Sequence, residues 1–179
     1  MSVVAYLLAS DDRLLDRVLG WQPPGWVRVW MLAATRLGDG WLWLVTAAAL
    51  AACDRRGLEV LAAGSVAAVI ATALLVCVKG RVRRARPCET ARPRSFEIGP
   101  LAWIPCDRFS FPSGHALNSF AIGSVIALAF PPLAFPVLAV AASVAASRVV
   151  LGLHWLSDVL AGALAGILIG IAVFLVLLR

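Results

Sequence analysis

Apolar residues run almost unbroken through four long stretches, Leu58 to Val78, Ala116 to Phe130, Leu133 to Leu151 and Val159 to Leu178, and through a shorter one from Trp41 to Cys53. A bilayer core takes about 20 apolar residues per helix. The first and last of the long four span it unaided, the others must borrow flanking residues, and five spans are expected. Residues 10 to 38 are patterned differently. Leu14, Leu15, Val18 and Leu19 share one helical stripe, with Asp11, Asp12, Arg13, Asp16 and Arg17 opposite; Pro23 and Pro24 interrupt, and Trp26, Trp30 and Met31 resume the pattern. Such segments suit helices lying in the membrane interface, where tryptophan is favoured; a sixth crossing is the alternative. Met1 to Ala9 is too short, and lacks the basic flank, to be expected as a signal peptide.

Composition agrees. With 61% apolar residues and a mean hydropathy of +0.90, the chain exceeds what a water-soluble globule carries. The expected fold is all-α: one polytopic transmembrane helix bundle over residues 1–179, with interfacial helices at 10–38 and the bundle at 39–179. The expected location is the cell (inner or plasma) membrane, multi-pass. The net charge of +6 invites a nucleic-acid partner, but the basic residues cluster beside the spans with no recognition module. Anionic headgroups or a phosphorylated substrate suit them better.

Eight of the 16 lysines and arginines fall in the one long polar segment, Lys79 to Ser113, between spans joined elsewhere by tight turns. Long loops among tight turns tend to carry function. With antiparallel helices, this loop and the junction at Gly152 to Asp158 emerge on one face, bringing both histidines and most arginines together. Four scattered cysteines make neither a disulfide scaffold nor a zinc site. Cys53 and Cys77 are expected as small core residues. Cys88 and Cys106 share the long loop, either bridged or as free thiols according to the compartment it faces.

Three segments carry candidate chemistry. In Ser110 to Ala116, Pro112 ends the loop, Ser113 can cap a helix and Gly114 opens the backbone to a ligand, so the helix start offers N–H groups and a positive dipole end to an anion. His115 follows in the first turn. In Ser147 to Asp158, His154 and Asp158 are four apart and share a face if the segment is helical. The aspartate would then fix the tautomer and leave one imidazole nitrogen as nucleophile or base, while Gly152 allows the break that brings Arg148 to the same place. In Lys79 to Pro87, Lys79 and Arg86 are seven apart and would align on a helix ending near Arg86, before Pro87; Arg81, Arg83 and Arg84 read as topology signals or headgroup contacts. Cations, a helix N-terminus, a histidine backed by an aspartate and a second histidine are the parts phosphoryl transfer requires. No metal or other cofactor is expected, since the cations supply the charge.

Together the segments resemble the signature of the type-2 phosphatidic acid phosphatase superfamily: Lys, six residues, Arg-Pro; then Pro-Ser-Gly-His; then Ser-Arg, five residues, His, three residues, Asp. Lys79-Arg86-Pro87, Pro112-Ser113-Gly114-His115 and Ser147-Arg148-His154-Asp158 match it at every position, across residues 79 to 158. The resemblance implies that His154 attacks phosphorus to give a phosphohistidine, Asp158 orients it and His115 protonates the leaving oxygen. Lys79, Arg86, Arg148, Ser113 and the Gly114 N–H would hold the phosphate. The expected activity is hydrolysis of a membrane lipid phosphate or diphosphate: a polyprenyl diphosphate, phosphatidylglycerol phosphate or phosphatidate. The alternatives are transfer to an acceptor lipid and a non-enzymatic anion transporter. Six-span relatives carry a helix before the interfacial segment that is not expected here, so five spans would put the N-terminus on the active-site side. Basic residues then crowd that side, which the positive-inside rule makes cytoplasmic, whereas most bacterial relatives face outward; sidedness and oligomeric state stay open.

Overall fold

The computed structural model describes residues 3–87 and 108–179. Cys88 and Cys106 lie outside the described residues, and the disulfide expectation with them. The helices are α1 (Val3–Gly20), α2 (Gly25–Leu37), α3 (Trp41–Cys53), α4 (Arg55–Val82), α5 (Gly114–Ala129), α6 (Ala134–Val150) and α7 (Leu156–Leu177), with a 3₁₀ turn at Pro131–Leu133; no strand occurs among the described residues.

Burial is distributed as lipid demands. On α4, Val60, Ala63, Ala67 and Ala71 face inward at helical spacing, while Val66, Val69, Ile70 and Val76 are exposed. On α7, Val159, Gly162, Gly166, Gly170 and Val173 face inward, and Leu160, Leu164, Leu168 and Leu175 outward. Large apolar side chains on the outside and small ones on the inside suit a surround as apolar as the core. Cys77 sits on the exposed side of α4, not in the core as expected, because small residues hold the packing face.

Among the described residues, three helical segments are long and apolar enough to cross a membrane: α4, Pro131–Val150 and α7. At 13 and 16 residues, α3 and α5 fall short of a bilayer core, and a count of five requires flanking residues to extend them. Both belong to the bundle. The main core joins Trp43 of α3, Val60 and Ala67 of α4, Leu117 and Val125 of α5, and Val173 of α7.

Helices α5 and α7 pack backbone against backbone. A Cβ on Gly162 would come 2.6 Å from Ser113 O, and one on Gly170 2.5 Å from Ala121 O, so the glycine stripe lets the two backbones touch. Outside the bundle, α2 packs through Met31 against Leu151 and Leu153 in the turn after α6, and α1 packs through Leu15 and Leu19 against Trp155. Asp11 lies one turn before Leu15 on that same buried face. The sequence pattern had set it on the polar side.

Candidate active site

The sequence expectations hold in part and fail instructively. Helix α4 stops at Val82, and Arg83 turns left-handed at φ 47°, so Lys79 and Arg86 are not aligned on one helix. The chain doubles back after the helix, and this return brings Arg86 to the cavity that Lys79 lines. Similarly, His154 and Asp158 do not share a helical turn. His154 precedes α7, which starts at Leu156. Helix α6 ends at Val150, Gly152 turns at φ 65°, and the Arg148 carbonyl accepts N–H bonds from both Leu153 and His154 at 3.0 Å. The predicted break at Gly152 therefore folds His154 back over Arg148.

Ser113 occupies the N-cap position of α5, but its hydroxyl makes no capping bond. Its backbone N–H donates to Asp158 O at 3.0 Å, tying α5 to α7. The buried Ser113 Oγ has no hydrogen-bond partner among the described residues, so it is free to meet a ligand.

Arg86 Nη1 donates to Leu153 O at 2.9 Å and lies 3.2 Å from His154 Nε2. A guanidinium only donates, so Nε2 carries the lone pair and the ring proton is assigned to Nδ1. Asp158 Oδ2 stands 3.6 Å from Nδ1, beyond a formed hydrogen bond but close enough to orient the ring electrostatically. Burial pushes the His154 pKa down to about 4, with Arg86 and Arg148 adding to it and Asp158 opposing. Burial thus favours the neutral imidazole, the form that keeps a lone pair on Nε2.

Two further elements complete the site. His115 Nε2 lies 3.0 Å from Asp39 Oδ1, in the turn between α2 and α3. The approach depends on Gly38, where a Cβ would come 2.7 Å from the His115 ring. A carboxylate between two glycines at a helix end was the available signal, and the motif reading missed it. Asp158 is fully buried and accepts from Arg84 Nη1 at 2.7 Å, Trp155 N at 3.0 Å and Ser110 Oγ. Arg84, expected as a topology signal or headgroup contact, is instead largely buried against that carboxylate.

A cavity of about 710 Å³ joins Lys79, Arg86, Arg148, His115 and His154 at one end and continues between α3, α4 and α5. Down α5 its wall runs from His115 to Asn118, Ile122 and Ile126, and down α4 from Lys79 to Thr72, Ala68 and Leu61. Cations at one end thus give way to a mostly apolar wall, with Leu75 next to Lys79 and with Thr72, Ser65 and Asn118 as polar side chains along it. A charged head on a long apolar tail fits that sequence of surfaces.

The PAP2 superfamily profile matches residues 60–179. The chain belongs to the PAP2 superfamily. It is 34% identical over 178 residues to the decaprenylphosphoryl-5-phosphoribose phosphatase of Mycobacterium tuberculosis, covering 93% of this chain and 86% of that one. A Mycolicibacterium smegmatis protein of the same name is 36% identical over 128 residues, covering 69% and 62%. Among solved structures, Aquifex aeolicus LpxE superposes with a TM-score of 0.76 at 22% identity, covering 90% of this chain and 93% of that one. The PAP2-type phosphatidylglycerolphosphate phosphatase of Bacillus subtilis gives 0.69 at 24%, covering 94% and 84%. The PAP2 chain described here is a multi-pass membrane lipid phosphatase, which decides between enzyme and transporter.

Proposed function

We propose that this PAP2 enzyme hydrolyses the phosphomonoester of a sugar phosphate carried on a polyprenyl phosphate. The carrying observation is a cavity that passes from cations, by way of Thr72, Ser65 and Asn118, along a largely apolar wall. Asn118 Nδ2 donates to Gly114 O at 3.3 Å, and its Oδ1 is buried with no partner among the described residues, suited to accept from a sugar hydroxyl. The mycobacterial relatives, named for a decaprenyl-linked phosphoribose, support the same choice over the glycerolipids.

In this reading Lys79, Arg86 and Arg148, with Ser113 Oγ and the Gly114 N–H, hold the phosphoryl oxygens and neutralise charge in the transition state. His154 Nε2 leaves Arg86 and attacks phosphorus, forming N–P as the bond to the sugar oxygen breaks. His115 donates its proton to that oxygen, and Asp158 steadies the Nδ1–H as positive charge grows on the ring. Water then attacks the phosphohistidine, giving its proton to His115 and releasing phosphate. Helices α1 and α2 lie in the interface, with the exposed Trp26 and Trp30 at the headgroup level. The whole chain forms one domain in the plasma membrane.

The test is phosphate release by the purified protein from polyprenylphosphoryl-ribose 5-phosphate, a polyprenyl diphosphate, phosphatidylglycerol phosphate and phosphatidate. The expected order puts the sugar phosphate first in kcat/KM. A higher value for a glycerolipid would overturn the substrate assignment, and consumption without free phosphate would replace hydrolysis by transfer.

A further inference from the structure

Asp158 is a fully buried carboxylate beside a neutral imidazole, an arrangement that is costly without a counter-charge. The counter-charge comes from outside the three signature motifs' fixed positions. Arg84 directs Nη1 to Asp158 Oδ1 at 2.7 Å and to Ser157 Oγ at 2.7 Å, and Nη2 to Asp11 Oδ2 at 2.8 Å. Its guanidinium lies over the Trp155 ring, 5.0 Å from the centroid. Asp11 in turn accepts from the Ser157 backbone N–H at 3.0 Å and from Ser157 Oγ. The α1 carboxylate thereby satisfies a first-turn N–H of α7, at the positive end of that helix. Carboxylate, guanidinium and carboxylate run from α1 through the loop after α4 to the residue behind His154.

We infer that Arg84 and Asp11 are positioning residues for catalysis, and that α1 is part of the catalytic machinery as well as a membrane-surface helix. The geometry leaves the Asp158 carboxylate little freedom. Arg84 holds one oxygen, while Ser110 and the Trp155 N–H hold the other, and the 3.6 Å approach to His154 Nδ1 follows from that clamp. Arg84 without Asp11 would lose the bond that fixes its Nη2 end, and the fork would turn away from Asp158. Neither residue lines the cavity, so substrate binding is not their task. The inference rests on the roles proposed above for His154 and Asp158.

The experiment compares Arg84→Gln, Arg84→Lys, Asp11→Asn and Arg81→Gln in the full-length purified protein, by kcat, KM and thermal unfolding on one lipid phosphate. Loosening groups that hold a catalytic carboxylate costs on the order of 10–100-fold in rate. Arg84→Gln should lose that much kcat with KM within about twofold. Arg84→Lys should recover part of it, since it keeps the charge and reaches one carboxylate. Asp11→Asn should fall between them, and the exposed Arg81→Gln should match the wild type. A wild-type kcat in both Arg84→Gln and Asp11→Asn overturns the inference. So does a loss falling on KM, or one that only follows unfolding and is not relieved in Arg84→Lys. If Arg84→Gln does not fold, Asp11→Asn decides alone. A His154→Ala control separates the levels: full activity there sinks the underlying mechanism, whereas a dead His154→Ala beside a normal Arg84→Gln sinks this inference only.

Discussion

Gly162→Ala is the most exacting test of how the fold holds the site, because one methyl group is placed where two backbones touch. The new Cβ would lie 2.6 Å from Ser113 O, 3.3 Å from Leu117 N and 3.4 Å from Ala116 Cβ. The first neighbour is backbone and cannot rotate aside. Restoring an ordinary contact requires α5 to move by about 0.8 Å, since close-packed interiors transmit strain instead of absorbing it. Ser113 is tied to Asp158 O through its N–H, so the movement displaces the start of α5, proposed above to hold phosphate, from the element carrying Asp158. Overpacking of this kind costs about 1–3 kcal/mol of stability. A misplacement near 1 Å costs up to about 100-fold in rate, so kcat should fall about 10- to 100-fold. The assay is phosphate release alongside thermal unfolding for Gly162→Ala, Gly170→Ala and Gly20→Ala. Gly170 is equally tight, at 2.5 Å from Ala121 O, but two turns further from the site, and Gly20 has nothing within 4 Å. The two α7 variants should lose similar stability, with the larger kcat loss at Gly162, and Gly20→Ala should lose neither. Wild-type kcat and stability in Gly162→Ala would refute the reasoning.

His154→Ala should abolish both turnover and labelling by a radiolabelled phosphate substrate, whereas His115→Ala should still form phosphoenzyme from substrates with acidic leaving groups, because a general acid contributes about 10²–10⁴-fold; substantial label on His154→Ala contradicts the assignment. Rate should persist in excess chelator, and vanadate should inhibit as a mimic of the transferring group; a strict magnesium requirement on a soluble substrate would remove the cation-only mechanism. Because the His154 pKa is lowered from 6.5 to about 4 by burial, the acid limb due to this residue should appear near pH 4. Between those values the unfolded chain holds the extra proton, so this stability contribution is present above pH 6.5 and is lost as pH falls toward 4; titration of the His154 ring by NMR near pH 6.5 would contradict both.

The apolar runs by themselves determined an all-helical membrane bundle, since only helices and closed barrels satisfy backbone groups in lipid. The spaced motifs pointed to the residues that the fold gathers around one cavity, Lys79, Arg86, His115, Arg148 and His154, because a cation series, a Gly-bounded helix start and a His with a following Asp are chemically unusual beside membrane spans. Helix ends were less legible. Periodicity carried α4 on toward Arg86, and the left-handed turn at Arg83 that ends it leaves no mark in a run of arginines. Among Arg81, Arg83 and Arg84 nothing local separates a headgroup contact from the counter-ion of a buried aspartate. Only the fold, by placing Asp11 of α1, Ser157 of α7 and Asp158 around one guanidinium, makes the distinction. Asp39 is the same case: its meeting with His115 joins residues far apart in the chain through a glycine that allows close approach. Sequence spacing registers what one helix or turn brings together. The partners that a buried charge finds across the bundle depend on packing, and packing exists only once the helices have assembled.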